Sequence, residues 1–308
     1  MTITLTDTTS SRIAAELLRA RRRAGSPAMG MVLTLVVDVP EDDADEPMRA
    51  AAAASTEHPA RVLGVIRGSA RGASRVDAEV SIGAGWSGET VLLRLSGEVT
   101  AHAESVVLPL LLPDSPVVVW WPTTSPADPA TDPLGALAQR RITDAAAAPR
   151  GRAAALAAQC ENYAPGNTDL AWTRLTGWRA LLAAALDQVS ARVTGGEVAA
   201  QRVSPSADLL SAWLGDRLRV EVARKTSRGP GITSVRLATK AGEIALVRPD
   251  GRLATLCTPG QPDRPVALTR RPVAELLAEE LRRLDPDDVY EATVTSLREQ
   301  LRRGGPAR

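Results

Sequence analysis

A nearly unbroken apolar run at residues 31–39, MVLTLVVDV, constrains the fold of this chain more than any other feature. The run is rich in β-branched residues and is flanked by Gly30 and Pro40. A strand that faces water on one side alternates apolar and polar residues, whereas a continuous apolar run is typical of a strand covered on both faces. We therefore predict a buried, central strand in a sheet that helices cover.

The segments around this strand alternate between helical and strand-like patterns. Apolar residues recur at helical spacing in the first helix, and two runs of alternating residues indicate a β-hairpin. An alanine-rich helix follows the central strand. In chain order, we predict a helix at residues 11–23, the central strand at 31–39 and the hairpin at 75–95. A helical stretch at 102–112 and a short strand at 117–121 follow. This order indicates a mixed sheet with flanking helices.

The longest helix of the chain is predicted to begin near Asn167 or Thr168. Asp169 would then lie in its first turn, where the helix dipole stabilises an acidic side chain. Gly195 and Gly196 are predicted to end this helix. Its apolar stripe repeats at three and four residues and comprises Leu175, Trp178, Leu182, Ala185, Val189 and Val193.

The pattern changes after the glycine pair. Short strand-like runs, including RVEVARK, ITSVRLA, EIALVRP and RLATLCT, are separated by turn residues such as PDG at 249–251. They indicate a smaller antiparallel sheet, which a helix beginning near Pro272 would cover. We predict an α/β (α+β) chain of two domains: residues 1–195 with the mixed sheet, and residues 196–308 with the antiparallel sheet and its helices.

The composition and the apolar runs of the chain argue against nucleic acid and membranes as partners. The chain carries 37 Lys plus Arg against 36 Asp plus Glu, so no overall positive field attracts nucleic acid. The amino-terminal stretch lacks a signal-peptide core, and the longest apolar runs are short and interrupted by prolines. We expect a soluble, cytoplasmic protein that binds neither nucleic acid nor a membrane.

Motifs of catalysis are scarce. Residues 83–88, GAGWSG, match the dinucleotide fingerprint GxGxxG, but a strand pattern follows them, which favours a hairpin loop. The sequence contains no GxxxxGK[ST], HExxH or GxSxG motif. Its two lysines are Lys225 and Lys240, and its two histidines are His58 and His102. We predict no catalytic residue, no cofactor and no metal site.

The most informative segment is residues 162–179, NYAPGNTDLAWTRLTGWR. On a helical wheel, Trp172 and Arg179 lie along one edge of the apolar stripe and Arg174 lies on the other. A half-exposed surface of Trp, Arg and Tyr has the composition of an interface hot spot, although Trp172 and Trp178 packed in the core would explain the pattern equally well. The candidate partner-binding residues are Trp121, Tyr163, Asp169, Trp172, Arg174 and Arg179.

Two further features leave alternatives open. Trp120 and Trp121 follow each other on a predicted strand, so their side chains point to opposite faces, and one can be core while the other is exposed or covered by a helix. Cys160 and Cys257 are about a hundred residues apart. Two unrelated reduced thiols are favoured over an interdomain redox pair.

Five long segments, in this order, also resemble one known family. They are HPARVLGVI, LLLPDSPVVVWWP, LAQRRITDA, NYAPGNTDLAWTRLTGWRALLAAALDQ and RRPVAELLAEELRRLDPDDVYEATV. Together they resemble the OpcA family of glucose-6-phosphate dehydrogenase assembly proteins. The resemblance implies a non-catalytic partner that promotes the oligomerisation and activity of that dehydrogenase, and so NADPH supply through the oxidative pentose phosphate pathway. It implies no cofactor and no catalytic residue.

Two other classes of function remain as alternatives. An enzyme would need Asp169, Arg174 and Arg179 to converge with His58 in a deep cleft. A sugar-phosphate-binding module, or a degenerate enzyme, would hold a phosphate through the planar guanidinium of Arg61 or Arg179.

Overall fold

The computed structural model describes residues 2–24, 30–83 and 88–304. The chain folds into two compact units, and each unit is built from more than one stretch of sequence. Unit 1 comprises Met1–Asp144, Gly166–Thr168 and Pro272–Pro286. Unit 2 comprises Ala145–Pro165, Asp169–Arg271 and Asp287–Arg308.

The strands within the described residues form two sheets. The first sheet contains β1 (Thr2–Leu5), β2 (Leu33–Pro40), β3 (Ala60–Arg67), β4 (Arg75–Ile82), β5 (Gly88–Ser96), β6 (Val117–Trp120), β7 (Arg140–Thr143) and β8 (Asn167–Asp169). The second contains β9 (Val193–Ala200), β10 (Val222–Thr226), β11 (Ile232–Thr239), β12 (Gly242–Val247), β13 (Leu253–Cys257) and β14 (Arg264–Ala267).

The α-helices of the described part divide between the units. Unit 1 contains α1 (Ser10–Ala24), α2 (Asp45–Glu57), α3 (Ala103–Val107) and α8 (Val273–Arg282). Unit 2 contains α4 (Arg152–Glu161), α5 (Leu170–Thr173), α6 (Thr176–Leu186), α7 (Pro205–Leu218) and α9 (Asp288–Arg302). Short 3₁₀ segments flank α3 and precede α2 and β7.

The sheet of unit 1 is mixed. Its strand order is β1-β4-β5-β3-β2-β6-β7-β8, and β2 pairs in parallel with both β3 and β6. The pairs β3–β5 and β6–β7 are also parallel, whereas β4 runs antiparallel to both β5 and β1. Leu35, Val36 and Val37 of β2 are fully buried, as expected for a strand covered on both faces. The predicted buried, central strand is confirmed.

The sheet of unit 2 is smaller and largely antiparallel. Its strand order is β10-β9-β11-β12-β13-β14, and only the β9–β10 pair among these is parallel. The crossover from β9 to β10 runs through α7, whose amino terminus is capped by the side chain of Ser204. The predicted α/β class, with a larger mixed sheet and a smaller sheet of mostly antiparallel strands, is confirmed.

Several element predictions agree with the structure and others do not. The hairpin is present as β4 and β5, and its loop residues 84–87 lie outside the described residues. Strands β1 and β3 were not predicted from the sequence, since the β3 segment HPARVLGVI has no alternation that distinguishes a strand from a buried helix.

The prediction of one long helix from residue 167 to the glycine pair is wrong. Residues 167–169 form β8, and the short helix α5 is followed by α6, which ends at Leu186. Gly195 and Gly196 lie inside β9. The longest described helices are α1 and α9, with 15 residues each.

The carboxy-terminal helices also differ from the prediction. Helix α8 belongs to unit 1, where it packs against α2, and so it does not cover the second sheet. Arg140 of β7 holds it there through a buried ion pair with Glu280 and a hydrogen bond of 3.0 Å to the carbonyl of Asp285. The first boundary between the units therefore lies between Asp144 and Ala145 rather than near Gly195. Later residues of the chain return to unit 1 twice, at Gly166–Thr168 and at Pro272–Pro286.

Candidate partner-binding site

Asp169 organises the start of the segment that the sequence singles out. It is fully buried and is the N-cap of α5, where its carboxylate accepts a hydrogen bond of 2.8 Å from the amide of Ala171. Its other oxygen accepts one of 2.9 Å from the amide of Ala145. The carboxylate therefore satisfies backbone donors that would otherwise be buried without a partner.

Trp172 lies at the centre of an aromatic cluster in unit 2. Its ring is 1% exposed and lies 5.7 Å from the ring of Tyr290, which in turn makes an edge contact with Tyr163 at 5.9 Å. The indole N–H donates a hydrogen bond of 2.9 Å to Oδ2 of Asp287. This cluster fixes α5 against the amino terminus of α9.

Asp287 links that cluster to the helix. Its Oδ1 accepts hydrogen bonds of 2.9 and 3.0 Å from the amides of Val289 and Tyr290, so it is the N-cap of α9. Burial alone would raise the pKa of Asp287, but the hydrogen bonds from Trp172 and from the Tyr290 amide outweigh that effect and hold the pKa below its ordinary value. The carboxylate therefore stays ionised at the edge of the indole ring.

Arg179 is the candidate residue that stacks on the same ring. The guanidinium carbon of Arg179 lies 3.8 Å from the Trp172 ring centroid, a cation–π contact. Tyr163, Arg174 and Arg179 have partly exposed side chains. The half-exposed Trp172 expected from the helical wheel is wrong, because α9 covers the ring. Partner binding by the six candidate residues stays a prediction.

Trp178 belongs to the core of unit 2, as the alternative interpretation of the stripe predicted for it. Its ring is 2% exposed, and the guanidinium of Arg248 lies 4.8 Å from its centroid. Arg248 donates to the carbonyls of Leu268 and Ile232. Burial lowers the pKa of Arg248 to about 10, and nearby Arg270 contributes to the shift.

Trp121 is also buried, at 2% exposure, and so is Trp120 at 1%. The indole N–H of Trp121 donates 3.0 Å to Oδ2 of Asp38, and Arg67 binds the same carboxylate in bidentate fashion at 2.6 and 2.9 Å. Burial alone would lower the pKa of Arg67, but the hydrogen bonds and charge of Asp38 outweigh it and raise the pKa. The polar atom of Trp121 is thus used inside unit 1, and binding of a partner by this residue stays a prediction.

These three residues lie where a parallel sheet of this order places its ligand crevice. Strand β3 lies on one side of β2 and β6 lies on the other. The carboxyl ends of β2 and β6 therefore form a topological switch point. Nucleotide-binding sheets have glycines in the turn after the first strand. Here β2 ends at Pro40, and the turn that follows has three exposed carboxylates at residues 41–43, which repel a phosphate. Neither Asp38 nor Arg67 had been singled out from the sequence.

Arg61 and His58 both belong to unit 1. Arg61 is buried, pairs with Glu89 and donates to the carbonyl of Leu110, and Arg21 of α1 pairs with the same Glu89. The guanidinium group of Arg61 is therefore already bound to Glu89 and Leu110 inside unit 1. His58 belongs to unit 1, whereas the other residues of the enzyme alternative, Asp169, Arg174 and Arg179, belong to unit 2.

The two cysteines are free and both lie in unit 2. Burial raises the pKa of Cys160 to about 12, and Asp169 adds to the shift. The pKa of Cys257, which is only partly buried, is also raised, by burial and by a hydrogen bond with Asp263. A thiolate is the reactive form, so neither residue is activated.

We expect a thiol reagent at about pH 8 to label Cys257 slowly and Cys160 only after unfolding, because Cys160 is buried and stays protonated. Timed labelling with iodoacetamide, followed by peptide mass spectrometry, measures each rate. Equal labelling rates in the folded protein would contradict this expectation.

Metal sites and membrane-spanning helices are two further classes of feature. Within residues 2–24, 30–83 and 88–304, no group of three or more His, Cys, Asp or Glu side chains is placed to hold a metal ion. None of the helices in that part of the chain is long and apolar enough to cross a membrane.

Comparison with known families decides the relationship. A model described as the glucose-6-phosphate dehydrogenase subunit N-terminal domain, of the OpcA type, matches residues 51–160, and the corresponding C-terminal domain matches residues 165–294. The chain belongs to the OpcA family. No sequence among curated proteins matches the chain.

Solved structures resemble this OpcA-family chain only distantly. KijD10, a 3-ketoreductase from Actinomadura kijaniata, is 11% identical with a TM-score of 0.48, covering 88% of this chain and 98% of its own. The UDP-N-acetylglucosamine 3-dehydrogenase GnnA from Acidithiobacillus ferrooxidans is 12% identical with a TM-score of 0.41, covering 88% and 97%.

Proposed function

We propose that this chain is a non-catalytic subunit that binds glucose-6-phosphate dehydrogenase and promotes its oligomerisation and activity. The observation that carries the proposal is the match of two OpcA-type domains, at residues 51–160 and 165–294. The partner is thus the oxidative pentose phosphate pathway enzyme that those domains are named for.

The geometry of unit 1 supports a role without catalysis. At the switch point, where a sheet of this order places a nucleotide, the Asp38–Arg67 pair and the Trp121 indole satisfy one another. Exposed carboxylates occupy the turn that would face a pyrophosphate. A dinucleotide would have to break a partly buried ion pair and approach negative charge, both of which are unfavourable.

The sugar-phosphate alternative has less support. It needs a guanidinium that is available to a phosphate, and Arg61 is buried against Glu89. Arg179 stacks on Trp172 and remains partly exposed. No observation favours this alternative over association with the dehydrogenase.

The proposal is tested by mixing the purified chain with its cognate dehydrogenase. We expect the two to co-elute in size-exclusion chromatography, with a larger dehydrogenase assembly by light scattering. Dehydrogenase activity should rise to saturation as the chain is added, with a coupling of about 1 kcal/mol or more, which is about fivefold in apparent substrate affinity.

Two controls separate this effect from simpler ones. Serum albumin at equal mass tests for unspecific protection of a dilute enzyme. The chain alone should turn over no glucose 6-phosphate and show no NADP binding by calorimetry. Failure to co-elute and to activate would refute the association, and saturable NADP binding would refute the non-catalytic assignment.

A further inference from the structure

One edge of the sheet in unit 2 lies open along a groove. Strand β10 is at one end of the order β10-β9-β11-β12-β13-β14, so no strand among the described residues pairs with one of its sides. The groove has a volume of about 960 Å³ and is lined by β10 and by residues of α4, α7 and α9. We call it the β10 groove.

The backbone of β10 has hydrogen-bonding groups to offer there. The carbonyl of Glu221 and the amide of Ser227 both bond to β9, at Gly196 and Ala200. Backbone groups alternate sides along a strand, so those of Val222, Arg224 and Thr226 point away from β9. Within the part of the chain that the structure describes, these outward groups make no backbone hydrogen bond.

The walls of the groove are apolar and its rim is basic. Leu156 of α4 and Leu297 and Leu301 of α9 line it, together with Val203, an apolar residue that is 37% exposed. Four cationic side chains and two carboxylates line the groove, namely Arg202, Arg224, Lys225, Arg303, Asp208 and Glu221.

The cations of the rim are not all neutralised. Arg224 pairs with Asp208 at 2.9 Å, and Arg303 pairs with Glu299 on an exposed surface. Among the described residues, Arg202 and Lys225 have no carboxylate within 4.0 Å, and Lys225 is exposed on the strand itself. With Glu221 counted, the four cations and two carboxylates of the lining leave an excess of two positive charges in the groove.

We propose that the β10 groove receives an extended, acidic segment of the dehydrogenase, which adds a strand to the sheet beside β10. The outward amides and carbonyls would supply main-chain hydrogen bonds, the apolar walls would take alternate side chains, and Arg202 and Lys225 would select acidic residues. This inference rests on the proposed association with glucose-6-phosphate dehydrogenase.

A second copy of this chain fits the groove less well. Each groove is lined by four cations and two carboxylates, so two grooves brought together by pairing of β10 with another β10 repel each other overall. Lysine on an edge strand is a known protection against such self-pairing. Charge complementarity therefore favours a foreign, acidic strand.

The two lysines of the chain make a matched test. Lys225 lies on β10 in the groove, whereas Lys240 lies in the turn between β11 and β12, is also exposed and does not line the groove. Acetylation of the folded chain, read by peptide mass spectrometry with and without the dehydrogenase, reports both. We expect the complex to slow acetylation of Lys225 by about tenfold and to leave Lys240 unchanged.

Charge reversal provides the second measurement. Lys225→Glu should weaken binding of the dehydrogenase by about tenfold, while Lys240→Glu, with the same change of charge, should alter it by less than about twofold. Binding of the parent chain should also weaken as salt is raised. Unfolding midpoints of both variants establish that the fold is kept.

The outcomes separate the two proposals. If the parent chain binds the dehydrogenase but Lys225 stays reactive and both variants bind equally, the groove assignment is overturned and the association stands. If the parent does not bind at all, the association fails and the groove assignment falls with it. Protection of Lys225 without dehydrogenase, with a doubled mass, would indicate a second copy instead and would also overturn the assignment.

Discussion

Trp172→Ala is expected to lower the free energy of unfolding by about 3 to 5 kcal/mol, because truncation leaves a cavity beneath α9. The ring is 1% exposed, contacts Tyr290 and Arg179, and donates a hydrogen bond to Asp287. The substitution removes apolar contacts and also leaves the cap of α9 without one of its donors. Urea unfolding followed by circular dichroism measures the loss.

Two further variants show which contacts matter. Trp172→Phe keeps an aromatic ring but loses the indole N–H and part of the ring volume, so a smaller loss of about 1 to 3 kcal/mol is expected. Trp213→Ala is the same truncation at a partly exposed position of α7 and should cost clearly less than Trp172→Ala. If Trp172→Ala proves as stable as the parent and only dehydrogenase binding is lost, Trp172 acts at the interface and the cluster has been misread.

Glu280→Ala is expected to destabilise the chain by about 3 to 5 kcal/mol, because it leaves the guanidinium of Arg140 buried without its carboxylate. The side chains of the pair are 5% and 8% exposed, and they join β7 to α8 across 140 residues of sequence. Chemical unfolding of the variant, monitored at several wavelengths, gives the loss.

The matched control lies on the same helix. Arg282 of α8 pairs with Glu57 of α2 at 3.7 Å, and both side chains are more than half exposed. An exposed pair contributes little because water screens it, so Arg282→Ala should cost less than about 1 kcal/mol. Equal losses for Glu280→Ala and Arg282→Ala would show that burial of the Arg140 pair does not determine its contribution.

The sequence predicted those elements whose patterns are local. The apolar run of β2, the alternation of β4 and β5 and the turn residues between the strands of unit 2 each identify an element without reference to the rest of the chain. The division of residues 167–186 into β8, α5 and α6 was missed. It depends on Asp169, which bonds to the distant amide of Ala145 as well as to its own helix.

The candidate site was harder to predict for the same reason. A helical wheel reports one helix, and it places Trp172 at a boundary with water. The cover on that ring comes from Asp287 and Tyr290, more than a hundred residues later. Likewise, the amino-acid sequence of residues 222–226 does not show that β10 is an edge strand, because strand order is set by the whole sheet.

The interleaving of the two units has a consequence for how the chain is made. Unit 1 needs Pro272–Pro286 to complete it, and this segment includes the glutamate that neutralises Arg140. A nascent chain emerges from the ribosome amino terminus first. Arg140 of β7 therefore lacks its partner Glu280 until the strands of unit 2 have been synthesised. Helices α8 and α9 follow each other closely in sequence, yet α8 packs in unit 1 and α9 packs in unit 2. Unit 1 can therefore be completed only after the strands of unit 2 have been synthesised, and a fragment ending at residue 195 would lack a structural part of unit 1.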